Sequence, residues 1–211
     1  RFVGWLLAFS RSRLAAHFQH RIENLGPGGN LHRNILCGRH PEYYSEDPIL
    51  TGTLMAYQAR GLEENGVIAT YKHLIANNME FERKSAHGII DENTLRDLYL
   101  RVFDKAFSLY KPGCVMTSYN PVNGIYPCEN ATLLNDLLRG EWGFDGFVMT
   151  DWGSYDTADS IRSVCAGTNL LTPGSKKHFR MILKAVKRNE ISKAALQHSV
   201  KQIVKVLVRC I

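Results

Sequence analysis

From residue 50 onward the chain alternates short, nearly continuous apolar runs with longer stretches of helical periodicity. The apolar runs are GVIATYKHL (66–74), GCVMTSYN (113–120), GFVMTDW (146–152) and TNLLTPG (168–174). Each is bounded by Gly or Pro, and continuity rather than strict alternation predicts parallel strands covered on both faces. Between them, DENTLRDLYLRVFDKAFSLY (91–110) repeats Leu95, Leu98, Val102, Phe103 and Ala106 at helical spacing. ENATLLNDLLRG (129–140) opens on Asn130, an expected N-cap, and closes on Gly140. Further helices are predicted over about 50–64, 155–166, 176–188 and 192–209. Strand then helix, repeated, predicts an α/β fold with a parallel sheet.

Every predicted strand ends in polar residues: Lys72 and His73, then Ser118, Tyr119 and Asn120, then Asp151 and Trp152, then Thr172. In a (β/α)8 barrel such ends converge on one site, whereas an open doubly wound sheet needs a glycine-rich phosphate loop at its switch point. The chain has no G-x-G-x-x-G or Walker loop, so the barrel is the better expectation. A whole barrel takes about 250 residues. With four clear strands and a fifth candidate near NLGPGGN (24–30), the expected fold is an incomplete (β/α)8 TIM-type barrel.

Composition changes this picture little. With 45% hydrophobic and 22% charged residues the chain reads as an ordinary globular protein, not a disordered one. The net charge of +6 is dispersed, apart from RSR (11–13) and KAVKR (184–188), so nucleic acid is not an expected partner. No run approaches the ~20 apolar residues of a membrane-spanning helix. Five cysteines show no C-x-x-C pair and no ligand spacing with histidine, which predicts free thiols and no zinc site; Cys114 and Cys165 sit in apolar company. His32, His40 and His73 match no H-E-x-x-H pattern, so neither a metal nor a cofactor is expected. Asn130-Ala131-Thr132 matches a glycosylation sequon, although the N-cap role accounts for Asn130 by itself. The first residue is Arg, and RFVGWLLAFSRSR sets a short apolar core between basic residues without a clean cleavage site, which predicts a chain whose true start lies upstream.

Three patches could carry chemistry. Asp151 follows a buried strand and is flanked by Trp152 and Gly153; a carboxylate there can attack an anomeric carbon beside an indole platform, or it can cap the helix expected near Ser154. Lys72 and His73 are either a solvated strand end or, at the mouth of the same barrel, donors to polyol hydroxyls whose charge keeps Asp151 ionised. The loop NLHRNILCGRHPEYYSEDP (30–48) offers Arg39 as a planar fork for vicinal hydroxyls, with Tyr43, Tyr44 and Glu46 lining or bracing a pocket. Its structural alternative is an ion pair from Arg39 to Glu46 or Asp47.

The segments NLHRNILCGRHPEYYSEDPILTG, GVIATYKHLIANNMEFER, VMTSYNPVNGIYPCEN, LLNDLLRGEWGFDGFVMTDWGS and NLLTPG together resemble glycoside hydrolase family 3, of the β-glucosidase type, in family order over about residues 25–190. The resemblance implies a retaining hydrolase of β-glucosides, with β-xylosides a close variant. Asp151 would be the nucleophile, Arg39, Lys72 and His73 would hold the glucosyl hydroxyls, and Met116, Tyr119 and Trp152 would border the subsite. KHLIANN differs from the KHFPGHG-like segment of the N-acetylglucosaminidase branch. The family's acid/base Glu comes from a second domain after the barrel, so residues 191–211 are expected to be a helix leading toward it, and residues 1–24 match poorly. Asn169 stands where many members carry Asp. A secreted or periplasmic setting is compatible with the resemblance. The competing expectations are a catalytically silent fragment and a sugar-binding module without turnover.

Overall fold

The computed structural model describes residues 23–209; RFVGWLLAFSRSR and Cys210 lie outside the described residues. Four parallel strands, β1 (Glu23–Asn24), β2 (Ile68–Leu74), β3 (Cys114–Thr117) and β4 (Phe147–Thr150), lie side by side in sequence order. Each crossover carries helix. The long helix α1 (Pro48–Glu63) joins β1 to β2. A continuous helical run, α2, joins β2 to β3 as Glu92–Thr94, the π-helical Leu95–Leu100 and Arg101–Leu109. The π-helical α3 (Thr132–Glu141) joins β3 to β4. After β4 come α4 (Ser160–Ala166), α5 (Lys176–Lys187) and α6 (Lys193–Arg209). The sheet does not close on itself among the described residues.

Helix starts follow their caps. Asp47 accepts from Leu50 N at 2.6 Å before Pro48, whose fixed φ and missing N–H suit a first turn. Asn130 Oδ1 accepts from Leu133 N at 3.0 Å, as its N-cap reading requires. Asp159 accepts from Ile161 N and Arg162 N, and this cap is why α4 begins at Ser160 and not near residue 155.

The alternation of side chains along each strand sorts the core into two layers. Ala69, Tyr71, Val115 and Val148 pack outward against Met55, Ala59 and Leu62 of α1, Phe103 and Phe107 of α2, and Leu134 and Leu138 of α3. Residues of the other parity, Ile68, Cys114, Met116, Phe147 and Met149, form a second layer with Ile203 and Val206 of α6. At ~1.5–3 kcal/mol for each large apolar side chain withdrawn from water, these layers dominate the stabilisation. Two glycines permit the closeness. A Cβ at Gly52 would collide with the Val102 carbonyl, and one at Gly146 with that of Gly113.

Two strand expectations are modified. NLGPGGN contributes only the end of β1, which pairs Glu23 with Ile68 and Asn24 with Ala69, and then a single bridge from Gly28 to Lys72. The run 168–174 is not a strand; it touches β4 through one parallel bridge, Leu170 to Met149. The amide of Asn169 explains part of this, because its Oδ1 takes the Val148 N–H at 2.7 Å, a ladder donor that a backbone carbonyl would otherwise take. Pro173, with no N–H, and Gly174, at φ +75°, then turn the chain away. The same Asn169 Oδ1 accepts from Arg139 of α3 at 2.9 Å, and its Nδ2 donates to Ser199 of α6 at 3.1 Å. Among the described cysteines all four are free, but only Cys114 and Cys128 are buried; Cys165 is exposed on α4, against its apolar reading.

Candidate active site

Parity along the strands places Lys72, Met116 and Asp151 on the same face of the sheet, at the carboxyl ends of β2, β3 and β4. Met116 is buried with Met149 in the layer beneath. Asp151 is 8% exposed. Its Oδ1 accepts from Trp152 N at 2.7 Å, while Oδ2 is buried and has no hydrogen-bond partner. The helical turn after it is entered by Gly153 at φ +78°, so the Asp151 side chain is not a helix cap.

His73 is held from four directions. Its own N–H donates to Asn30 Oδ1 at 2.9 Å and its carbonyl accepts from Asn30 Nδ2 at 2.8 Å. Arg39 Nη2 lies 2.9 Å from Nε2, and Tyr43 Oη lies 3.1 Å from Nδ1. A guanidinium only donates, so Nε2 carries the lone pair and Nδ1 the proton, directed at Tyr43 Oη or at Asn30 Oδ1 3.3 Å away. Burial, with Lys72, Arg39 and Arg83 adding like charge, pushes the His73 pKa well below the usual histidine value. The 3.4 Å approach of Asp151 Oδ2 to Nε2 is therefore a contact with a neutral ring, not an ion pair.

This corrects the expectation that Lys72 and His73 both bring charge to Asp151. Burial raises the Asp151 pKa; the Trp152 N–H, then Arg39, Tyr119 and Lys72, oppose that rise without overcoming it. Lys72 and Arg39 are themselves bridged by one carboxylate. Glu42 Oε2 lies 2.8 Å from Lys72 Nζ, and Glu42 Oε1 lies 2.7 Å from Arg39 Nε. Arg39 also approaches Glu80 Oε1 at 3.4 Å. The expected loop pair from Arg39 to Glu46 or Asp47 is thus replaced. Glu42 closes the short turn His40–Glu42 three residues after Arg39, and Asp47 is committed to capping α1.

Tyr119 donates to the Trp152 carbonyl at 2.5 Å, and burial together with the neighbouring Asp151 carboxylate raises its pKa to about 12. Arg83 lies over the Tyr119 ring, 4.8 Å from its centroid. Trp152 stands 64% exposed at the rim. The structure thus gathers Arg39, Lys72, His73, Tyr119 and Trp152 around Asp151 and adds Asn30, Glu42, Glu80 and Arg83. Asn30, Glu42, Glu80 and Arg83 look like solvated loop residues in the sequence, although Glu80 and Arg83 lie within GVIATYKHLIANNMEFER, one of the segments that carry the family resemblance. Tyr43 braces His73 as its loop position suggested, and Tyr44 reaches Gln58 instead. The cavity of ≈ 340 Å³ between α2 and α3, walled by Leu95, Leu100, Leu133 and Leu137, contains none of these side chains. Among the described residues no group of His, Cys, Asp and Glu is arranged to hold a metal ion.

A family model described as the glycosyl hydrolase family 3 N terminal domain matches residues 24–206. The chain belongs to this family. It is 42% identical over 184 residues to thermostable beta-glucosidase B of Acetivibrio thermocellus, covering 87% of this chain and 24% of that protein. It is 38% identical over 208 residues to probable beta-glucosidase J of Aspergillus fumigatus, covering 97% and 23%. Among solved structures, beta-glucosidase 3B of Thermotoga neapolitana in complex with glucose superposes with a TM-score of 0.92 at 37% identity, over 98% of this chain and 30% of that one. The family 3 beta-glucosidase of Bifidobacterium adolescentis does so with a TM-score of 0.92 at 33% identity, over 99% and 31%. The chain therefore spans about a quarter of the length of these curated relatives.

Proposed function

We propose that this family 3 chain supplies the nucleophile and the glucosyl-binding wall of a β-glucosidase acting with retention. The observation that carries the reading is Asp151, with one carboxylate oxygen fixed by the Trp152 amide and the other buried, unpaired and facing the Arg39–His73 cluster. A buried carboxylate whose free lone pairs meet no donor is poorly solvated, which favours attack on an electrophilic carbon. Oδ2 attacks C1 as the C1–O bond to the aglycone breaks, giving a glycosyl ester; water then cleaves the ester and the carboxylate returns. Lys72 and Arg39, preset by Glu42, donate to sugar hydroxyls, and the proton for the departing oxygen comes from a Glu of a second domain, as the resemblance implies.

Incubation with 2,4-dinitrophenyl 2-deoxy-2-fluoro-β-glucoside tests this directly, because that leaving group departs without protonation. Intact mass and peptide mapping are expected to show one glycosyl adduct on Asp151, absent in Asp151→Ala with its circular dichroism unchanged. An unlabelled wild-type chain would make this polypeptide a silent fragment, and a label elsewhere would remove Asp151 from the mechanism.

A further inference from the structure

The run KAVKR, set apart in the sequence by its charge, has no part in the site and lies at the end of α5. This helix is anchored on one side. Ala185 is buried with Val164 of α4 and with Ile191, and Ile182 and Val186 pack against them. At about 100° and 1.5 Å per residue, the opposite face carries Lys176, Arg180, Lys184 and Lys187 in a line about 16 Å long. All four are exposed, as are Lys177 and Arg188 on one flank of the line. The helix contains no acidic residue, and among the described residues only Arg188 of the six reaches one, Glu190 at 3.8 Å. The other flank is apolar. Phe179 and Leu183, one turn apart, are 68% and 45% exposed. α5 also starts beside the site: the Thr172 carbonyl accepts from Gly153 N at 2.9 Å, and the His178 ring lies 4.0 Å from that of Tyr155.

We infer that α5 docks on an anionic lipid bilayer, its cations meeting headgroup phosphates while Phe179 and Leu183 enter the boundary of the acyl chains. This is independent of what Asp151 does. A row of unpaired cations repels a second copy of the same face and attracts a polyanion. Each Lys or Arg held at an anionic bilayer strengthens association by about fivefold. The apolar pair decides which polyanion it is. A nucleic acid or an acidic polysaccharide is satisfied by the cations and leaves the Phe179 and Leu183 flank in water, whereas a bilayer withdraws both, as it does for interfacial helices that set Phe and Leu beside Lys and Arg. Four of the six cations are Lys, compact charges without the planar fork that fixes one particular phosphate, which suits a fluid surface of many headgroups.

Co-sedimentation with vesicles tests it, using phosphatidylcholine alone and phosphatidylcholine mixed with an equal part of phosphatidylglycerol. Binding is expected on the mixed vesicles only, falling at least about tenfold between about 0.05 and 0.5 M salt. Arg180→Gln with Lys184→Gln should weaken it about twenty-fivefold, and Phe179→Ser with Leu183→Ser about fivefold. Arg180→Lys with Lys184→Arg, which keeps the charges, should bind as the wild type does, and so should Val204→Ser with Leu207→Ser on α6. Equal binding to both kinds of vesicle, no binding to either, loss with the α6 pair in place of the α5 pairs, or indifference to either α5 pair overturns the inference. A chain that retains a short single-stranded DNA and leaves the mixed vesicles unbound also overturns it, and makes α5 a nucleic-acid site instead.

Discussion

At the scale of single residues, the site is governed by which groups keep their charge under burial. Glu42 supplies one oxygen to Arg39 and one to Lys72, whereas His73 gives its charge up and serves as an acceptor for Arg39. The consequence is a pH-dependent stability with a definite sign. Below about pH 6.5 the unfolded chain protonates position 73, while the folded chain, with its histidine pKa depressed, does not. The unfolded state then binds more protons, so stability is lost as pH falls. Between pH 6.5 and 5.5 the loss is expected to be about 1 kcal/mol, read as a falling urea midpoint, and His73→Gln should flatten that slope. Asp151 acts in the opposite sense, since its raised pKa lets the folded state hold a proton that the unfolded state releases, at the more acidic end of the range. A slope unchanged by His73→Gln would show that this ring is not the titrating group. The sequence exposed Lys72, His73 and Asp151 through their place at the ends of apolar runs. It concealed Asn30 and Glu42, because a loop residue acquires a role only from what the fold sets beside it.

At the scale of elements, the apolar runs of β2, β3 and β4 were legible because parallel strands buried on both faces leave little room for polar residues. The run at 168–174 has the same composition and is not a strand, since a side-chain amide displaces its backbone at the ladder and Pro173 ends it. No hydrophobic pattern records that competition. Helix packing was equally invisible: α1 approaches α2 closely only because Gly52 has no side chain. Gly52→Ala is a better helix former by ~1 kcal/mol, yet the collision is with backbone that cannot rotate away. A net destabilisation of about 1–2 kcal/mol is expected, measurable by urea unfolding; a neutral or stabilised variant would show that the helices part at little cost.

At the scale of the whole molecule, the described chain carries apolar surface that its own residues do not cover. Along α6, Val200, Val204, Leu207 and Val208 are each at least half exposed, at helical spacing. Such a stripe favours self-association. Sedimentation velocity is expected to show species heavier than the monomer as concentration rises, and Val204→Glu with Leu207→Glu should return the chain to a monomer. A wild-type chain that stays monomeric would show that the stripe is tolerated in water. The strand order carries a different consequence. Because β1 to β4 pair in parallel and in sequence order, the chain contains no hairpin among them, and each pairing must first close a loop of several dozen residues. Arg39 lies in the crossover from β1 to β2, and His73, Tyr119 and Asp151 stand at the carboxyl ends of three different strands, so the site needs all three closures. The site therefore has no local precursor during folding: it comes into existence only when the last long-range contact forms, and occupancy of Asp151 by a fluoroglucosyl label would report the completion of folding as well as the chemistry.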